Sequence, residues 1–224
     1  MRRFFSELER LKTDIVEMGT MVKSSIHRSV RCLTERNADF ADQVFRDEAF
    51  INQSEMAIDD LAAQLVALNQ PVASDMRLLI AALKINTDLE RMGDLSVNSA
   101  RRALGLIEKP PLLVAIPVMS ELVESMVDRC TQAFAQRDEE LARSVLTADD
   151  EVDRLRNEIY EDLTSRMEEN PFLVRTALGY MFIARNLERT ADHATNIAED
   201  VIFLVKGVDV RHHNEARTSH APGY

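Results

Sequence analysis

Apolar residues recur every three or four positions along most of the chain. Leu8, Leu11, Ile15, Met18, Val22, Ile26, Val30 and Leu33 mark one stripe, and that spacing predicts a long amphipathic helix over about 4–36. Asn37 and Asp39 are residues that favour helix starts, which places a second helix from about 39. It runs through Val44, Ile51, Ile58, Leu61, Leu65 and Leu68 and stops at Asn69-Gln70-Pro71. A third helix is expected over about 73–107, ended by the two prolines at 110 and 111. The pattern then restarts: a fourth helix over about 113–136, a fifth over about 138–168 broken at Asn170-Pro171, and a sixth over about 172–206 with Gly207 as its C-terminal cap.

The two halves repeat one another. At a shift of 98, Leu89-Glu90-Arg91 falls on Leu187-Glu188-Arg189, Asp94 on Asp192 and Asn98 on Asn196. At a shift of 101, Met18 falls on Met119, Val22 on Val123, Arg28 on Arg129, Val44 on Val145 and Ile58 on Ile159. The second copy has three fewer residues before its last helix. The chain therefore reads as all-α: two tandem, structurally similar three-helix bundles over 1–109 and 110–207, then a polar C-terminal tail over 208–224 that frays. A three-helix bundle buries one stripe per helix and can form its own core.

Composition narrows the class. With 6 Gly, 6 Pro and no Trp among 224 residues, the chain lacks material for many tight turns, so a sandwich or barrel is disfavoured. An apolar share of 46 % excludes a disordered chain. Lys and Arg number 27 against 38 Asp and Glu, a net charge of −11. Residues 1–109 hold 15 basic and 17 acidic groups, whereas 110–224 hold 12 and 21. This balance disfavours nucleic acid and anionic lipid, and suits hard cations or basic partner surfaces. The longest apolar run, Pro110–Met119, is too short to span a membrane, and the N-terminus has no apolar core of a signal peptide. The expectation is a cytoplasmic protein in which Cys32 and Cys130 are reduced and buried.

The residues with most chemical content are the repeated Leu-Glu-Arg-x-x-Asp-x-x-x-Asn segments. On a helix, Glu90, Asp94 and Asn98 form an oxygen ladder, as do Glu188, Asp192 and Asn196. Carboxylates at i and i+4 repel, and a hard cation between them removes that cost. One such pair on a helix is ordinarily a solvated face, but here both copies keep the oxygens while neighbours diverge (Leu95 against His193). Asp149 and Asp153 form a further pair on the fifth helix, matched by Glu48 and Asn52 in the first unit. If neighbouring helices run antiparallel, each unit gains a four-ligand, all-oxygen site, with Asn52 as the weak point. Arg101 and Arg102 could neutralise the first ladder.

Other chemistry is poorly supported. No His follows a Glu by three residues, which disfavours a ferritin-like oxidase. His193 is expected at the surface, and His212-His213 in the tail to bind metal only adventitiously. No Gly-rich phosphate loop is present. Met18, Met21, Met119 and Met126 read as core fillers.

At Gln-Pro-Val-Ala-Ser-Asp-Met-Arg (70–77), Asp-Leu-Glu-Arg-Met-Gly-Asp (88–94), Ala-Arg-Asn-Leu-Glu-Arg-Thr-Ala-Asp-His (184–193) and Val-Lys-Gly-Val-Asp-Val-Arg-His (205–212), the chain resembles the PhoU family of bacterial phosphate-signalling regulators. The resemblance implies two similar three-helix bundles and a non-enzymatic negative regulator of the phosphate-starvation response. It implies contacts with the phosphate ABC transporter ATPase and a phosphate-sensing histidine kinase, and so a cytoplasmic protein brought to the inner membrane through its partners. A homodimer is compatible with it. It also implies metal on the ExxxD motifs, which match Glu90/Asp94 and Glu188/Asp192, with Asp149/Asp153 as partner motif and Glu48/Asn52 departing from it. The ion is left open among Fe, Mn, Mg, Zn and Ca. The alternative is a metal-binding helical-bundle enzyme or a metal-storage protein.

Overall fold

The computed structural model describes residues 2–207. The tail over 208–224, with the expected fraying and the His212-His213 pair, lies outside the described residues. Six helices follow in order: α1 Arg2–Thr34, α2 Asp39–Asn69, α3 Ala73–Leu104, α4 Ile116–Gln136, α5 Glu139–Glu169 and α6 Val174–Lys206. A 3-10 turn, Pro171–Leu173, precedes α6.

Side-chain chemistry sets the helix ends. Asp138 caps α5 by accepting from the Leu141 N–H at 3.0 Å. Asn170 accepts from Phe172 N–H at 3.2 Å, which holds the proline turn as 3-10 rather than as the first turn of α6. Gly207 closes α6 at φ 70. Arg36 and Arg137, related by the shift of 101, both occupy the left-handed region at φ 54 after α1 and α4. α3 ends three residues before the expected position. Its apolar rhythm continues into the turn over 105–108, where Leu106 is buried without being helical. α4 starts at Ile116, because Pro117 suits a first helical turn.

Each unit packs its three helices together, and the units join through α1 on α4 and α3 on α6. Contacts along both seams run in opposite chain directions. Gly19 meets Thr131, Lys23 meets Asp128 and His27 meets Glu124. Lys84 meets Asp200, Asp88 meets His193, and Arg102 meets Phe182. Burial follows: α2 and α5 bury six residues each, α3 fifteen and α6 seventeen. The inner helices are thus α1, α3, α4 and α6, with α2 and α5 outside them. The buried side chains form one continuous cluster from Leu8 to Leu204, because the inner helices expose apolar faces that only the other unit covers. Cys32 and Cys130 are free and buried. Met18, Met119 and Met126 are fully buried, and Met21 packs at the core's edge.

Candidate functional site: two acidic helix pairs

The ladders lie on the faces of α3 and α6 turned towards the outer helices. In the first unit, Glu90 is half-buried on α3 and Asp94 is exposed one turn on. Burial raises the Glu90 carboxyl above its ordinary range, and Asp94, Glu55 and Glu48 push it further the same way. Glu48 and Glu55 both belong to α2, so this helix supplies the facing carboxylates.

The second unit repeats the arrangement. Burial, then Asp192, Asp153, Asp150 and Glu188, push Asp149 up to about 6. Glu188 is raised by burial and by Asp192 and Asp153, against the pull of Arg156. Asp192 is raised by burial and by Asp153, against His193, Arg189 and Arg156. Asp149 and Asp153 on α5 therefore share a field with Glu188 and Asp192 on α6.

Glu55 and Arg156 are absent from the sequence-based donor set, yet the shift of 101 places one on the other. In the first unit Asn52 stands where the second has Asp153, and Glu55 restores the missing charge. In the second, Arg156 donates to Asp153 at 3.3 Å and is a built-in counter-ion. Its Nε is buried and unpaired. The signal was legible: Glu48 and Glu55 are seven residues apart, two turns along one face of α2.

Asn98 and Asn196, one turn beyond Asp94 and Asp192, also line clefts at the α3–α6 seam. Asn98 lines a cleft with Arg101, Arg102 and Lys109. Asn196 lines a groove with Lys84, Asp88 and Asp200. Arg101 and Arg102 do not serve the first ladder. Arg101 lies over the Phe45 ring at 5.8 Å and Arg102 over Phe182 at 4.6 Å. His193 is not at the surface: its Nδ1 is 2.8 Å from Asp88 of α3, which covers that side of α6.

The donors are carboxylate oxygens under mutual repulsion, which fits a hard cation. Among the described residues, no three His, Cys, Asp or Glu side chains already converge closely enough to hold an ion. The fit is one of charge and donor type, not of a finished cage.

Comparison with known proteins follows the same repeat. The PhoU domain family model matches residues 15–103 and again 116–201. A phosphate-specific transport system accessory protein PhoU homolog from Pseudomonas aeruginosa is 38 % identical over 214 residues, covering 94 % of this chain and 88 % of that protein. One of the same description from Aquifex aeolicus is 37 % identical over 212 residues, covering 94 % and 96 %. The crystal structure of PhoU from Pseudomonas aeruginosa superposes with TM-score 0.87 at 37 % identity, covering 92 % of this chain and 100 % of that one. The phosphate transport system regulatory protein PhoU from Streptococcus pneumoniae superposes with TM-score 0.86 at 27 % identity, covering 92 % and 99 %.

Proposed function

The chain belongs to the PhoU family, and from that premise we propose that it is an accessory protein of phosphate-specific transport that holds the phosphate-starvation response off when phosphate is plentiful. The observation that carries the reading is the match of both repeats, over nearly the whole of each relative, to proteins named for that transport system.

The regulator works by contact rather than by turnover. Its partners are the ATPase of the phosphate transporter and a phosphate-sensing histidine kinase, and it works in the cytoplasm, at the membrane only through them. No helix among the described residues is long and apolar enough to cross a membrane. The excess of acid in the second half suits a basic partner surface. Phe172 and Leu113, 95 % and 86 % exposed, offer apolar anchor points for a protein contact. A catalytic role for the acidic sets would need a proton-transfer group beside them. The nearest histidine, His193, is committed to Asp88.

A metal ion on the acidic sets is part of the proposal. Glu48, Glu55, Glu90 and Asp94 would hold it in the first unit, and Asp149, Asp153, Glu188 and Asp192 in the second. Bound there, a cation would supply charge neutralisation and tie an outer helix to an inner one. Equilibrium dialysis against Mn²⁺ tests it, with saturable uptake expected that weakens in Glu188→Gln/Asp192→Asn. The contact claim is tested by co-purification of the chain with the transporter ATPase and with the kinase. Failure to retain either partner would count against it.

A further inference from the structure

At the α3–α6 seam, the end of α3 and the start of α6 enclose a cleft of about 380 Å³. Asn98, Arg101, Arg102, Lys109, Arg175 and Phe182 line it together with Gly105, Leu106 and Gly179, and no carboxylate is among the lining residues. Among the described residues none of its four cations makes an ion pair. Four unpaired cations around one cavity reverse the sign of a chain that carries −11 overall.

The turn carrying Lys109 is fixed in place. Arg36, from the loop after α1, donates to the carbonyl oxygens of Ile107 and Lys109, the latter at 3.1 Å. Gly179 lets α6 come close, since a Cβ there would stand 2.8 Å from Leu106. Arg102 is held flat on Phe182 at 4.6 Å, an arrangement that orients a guanidinium without neutralising it.

The duplication supplies an internal comparison. At the shift of 98, Asn98 corresponds to Asn196, Arg101 to Glu199, Arg102 to Asp200, and Phe182 to Lys84. Those counterparts also line one groove. There Lys84 pairs with Asp200 at 2.7 Å. The same place in the fold is thus neutralised in one copy and left cationic in the other, so the packing of the seam does not require the cationic form.

We propose that the cationic cleft at the end of α3 binds a small anion through its phosphate groups. Guanidinium forks match phosphate oxygens in pairs, and the cleft's size lies within the small-ligand range of roughly 300–1,000 Å³. The ligand is either free phosphate or the phosphate tail of a nucleotide. This proposal is independent of the regulatory reading and of the acidic sets.

The test is calorimetric titration of the full chain in EDTA, which keeps metal from bridging anions to the carboxylates. The probes are inorganic phosphate, pyrophosphate and ATP. Saturable binding is expected for at least one, weakened about tenfold or more in Arg101→Gln/Arg175→Gln. Both side chains are exposed, and an unchanged melting temperature will show that the variant folds. Arg91→Gln, in the counterpart groove, should leave binding unchanged. Binding of inorganic phosphate assigns the site to the free ion, and binding of ATP alone assigns it to nucleotide phosphate. No saturable binding of any probe, or binding that the double variant leaves intact, overturns the proposal.

Discussion

At Asp149, burial and four neighbouring carboxylates act in the same direction, and its carboxyl is pushed up to about 6. An unfolded Asp titrates near 3.8, so the folded state holds this proton more tightly. The stability it contributes is present at low pH and is lost as pH rises through about 6. For a half-exposed group the effect is about 1 kcal/mol after solvent screening is discounted. In EDTA, Asp149→Asn should therefore melt a few degrees higher than the parent at pH 7, with the gap closing towards pH 4. An equal gap at both pH values would show that charge is not the cause. Mn²⁺ should relieve the same repulsion and raise the parent's melting temperature at pH 7. An unchanged curve at saturating Mn²⁺ would exclude a site of useful affinity. Residue identity alone exposed the ladders, because i, i+4 spacing on a helix is readable without a structure. The spacing of Glu48 and Glu55 was readable too, but nothing in the sequence singled Glu55 or Arg156 out before α2 was seen against α3 and α5 against α6. Residue identity misplaced His193 for the same reason: the angle around one helix says nothing of which neighbour covers it.

At the level of elements, periodicity and breakers placed all six helices. The differences concentrate at the ends, where tertiary packing competes with helix geometry, as at Leu106, or where a cap forms a tighter turn, as at Asn170. How the helices associate was less legible, because an apolar stripe does not name its partner. The seams show what the stripes cover. At Gly19, a Cβ would stand 2.6 Å from Thr131 Cγ2, on a β-branched side chain whose hydroxyl is already tied to the Val127 carbonyl. Gly19→Ala, helpful to an isolated helix, should here force α1 from α4 and destabilise by about 1–3 kcal/mol. Thermal unfolding checks the sign. A stabilised variant would mean that Thr131 gives way freely.

Across the whole molecule, one buried cluster runs through both repeats, and the expected consequence is that they unfold together. A fragment ending at residue 109 would uncover the faces of α1 and α3 that α4 and α6 bury, and should self-associate or bind a hydrophobic dye such as ANS. A monomeric, dye-silent fragment with a sharp melting transition would contradict the single-core description. The same architecture leaves the acidic sets on the flanks, one per unit, and the cationic cleft at one end of the α3–α6 seam. Surfaces of opposite sign on one molecule suit a protein that meets more than one partner. The central claim is that this molecule represses the phosphate-starvation response, and alkaline phosphatase output tests it most directly. The organism is grown in excess phosphate with the gene intact, deleted and restored. High output in the deletion strain alone, returned to low output by restoration, is the predicted result. Output that stays low when the gene is deleted would contradict it.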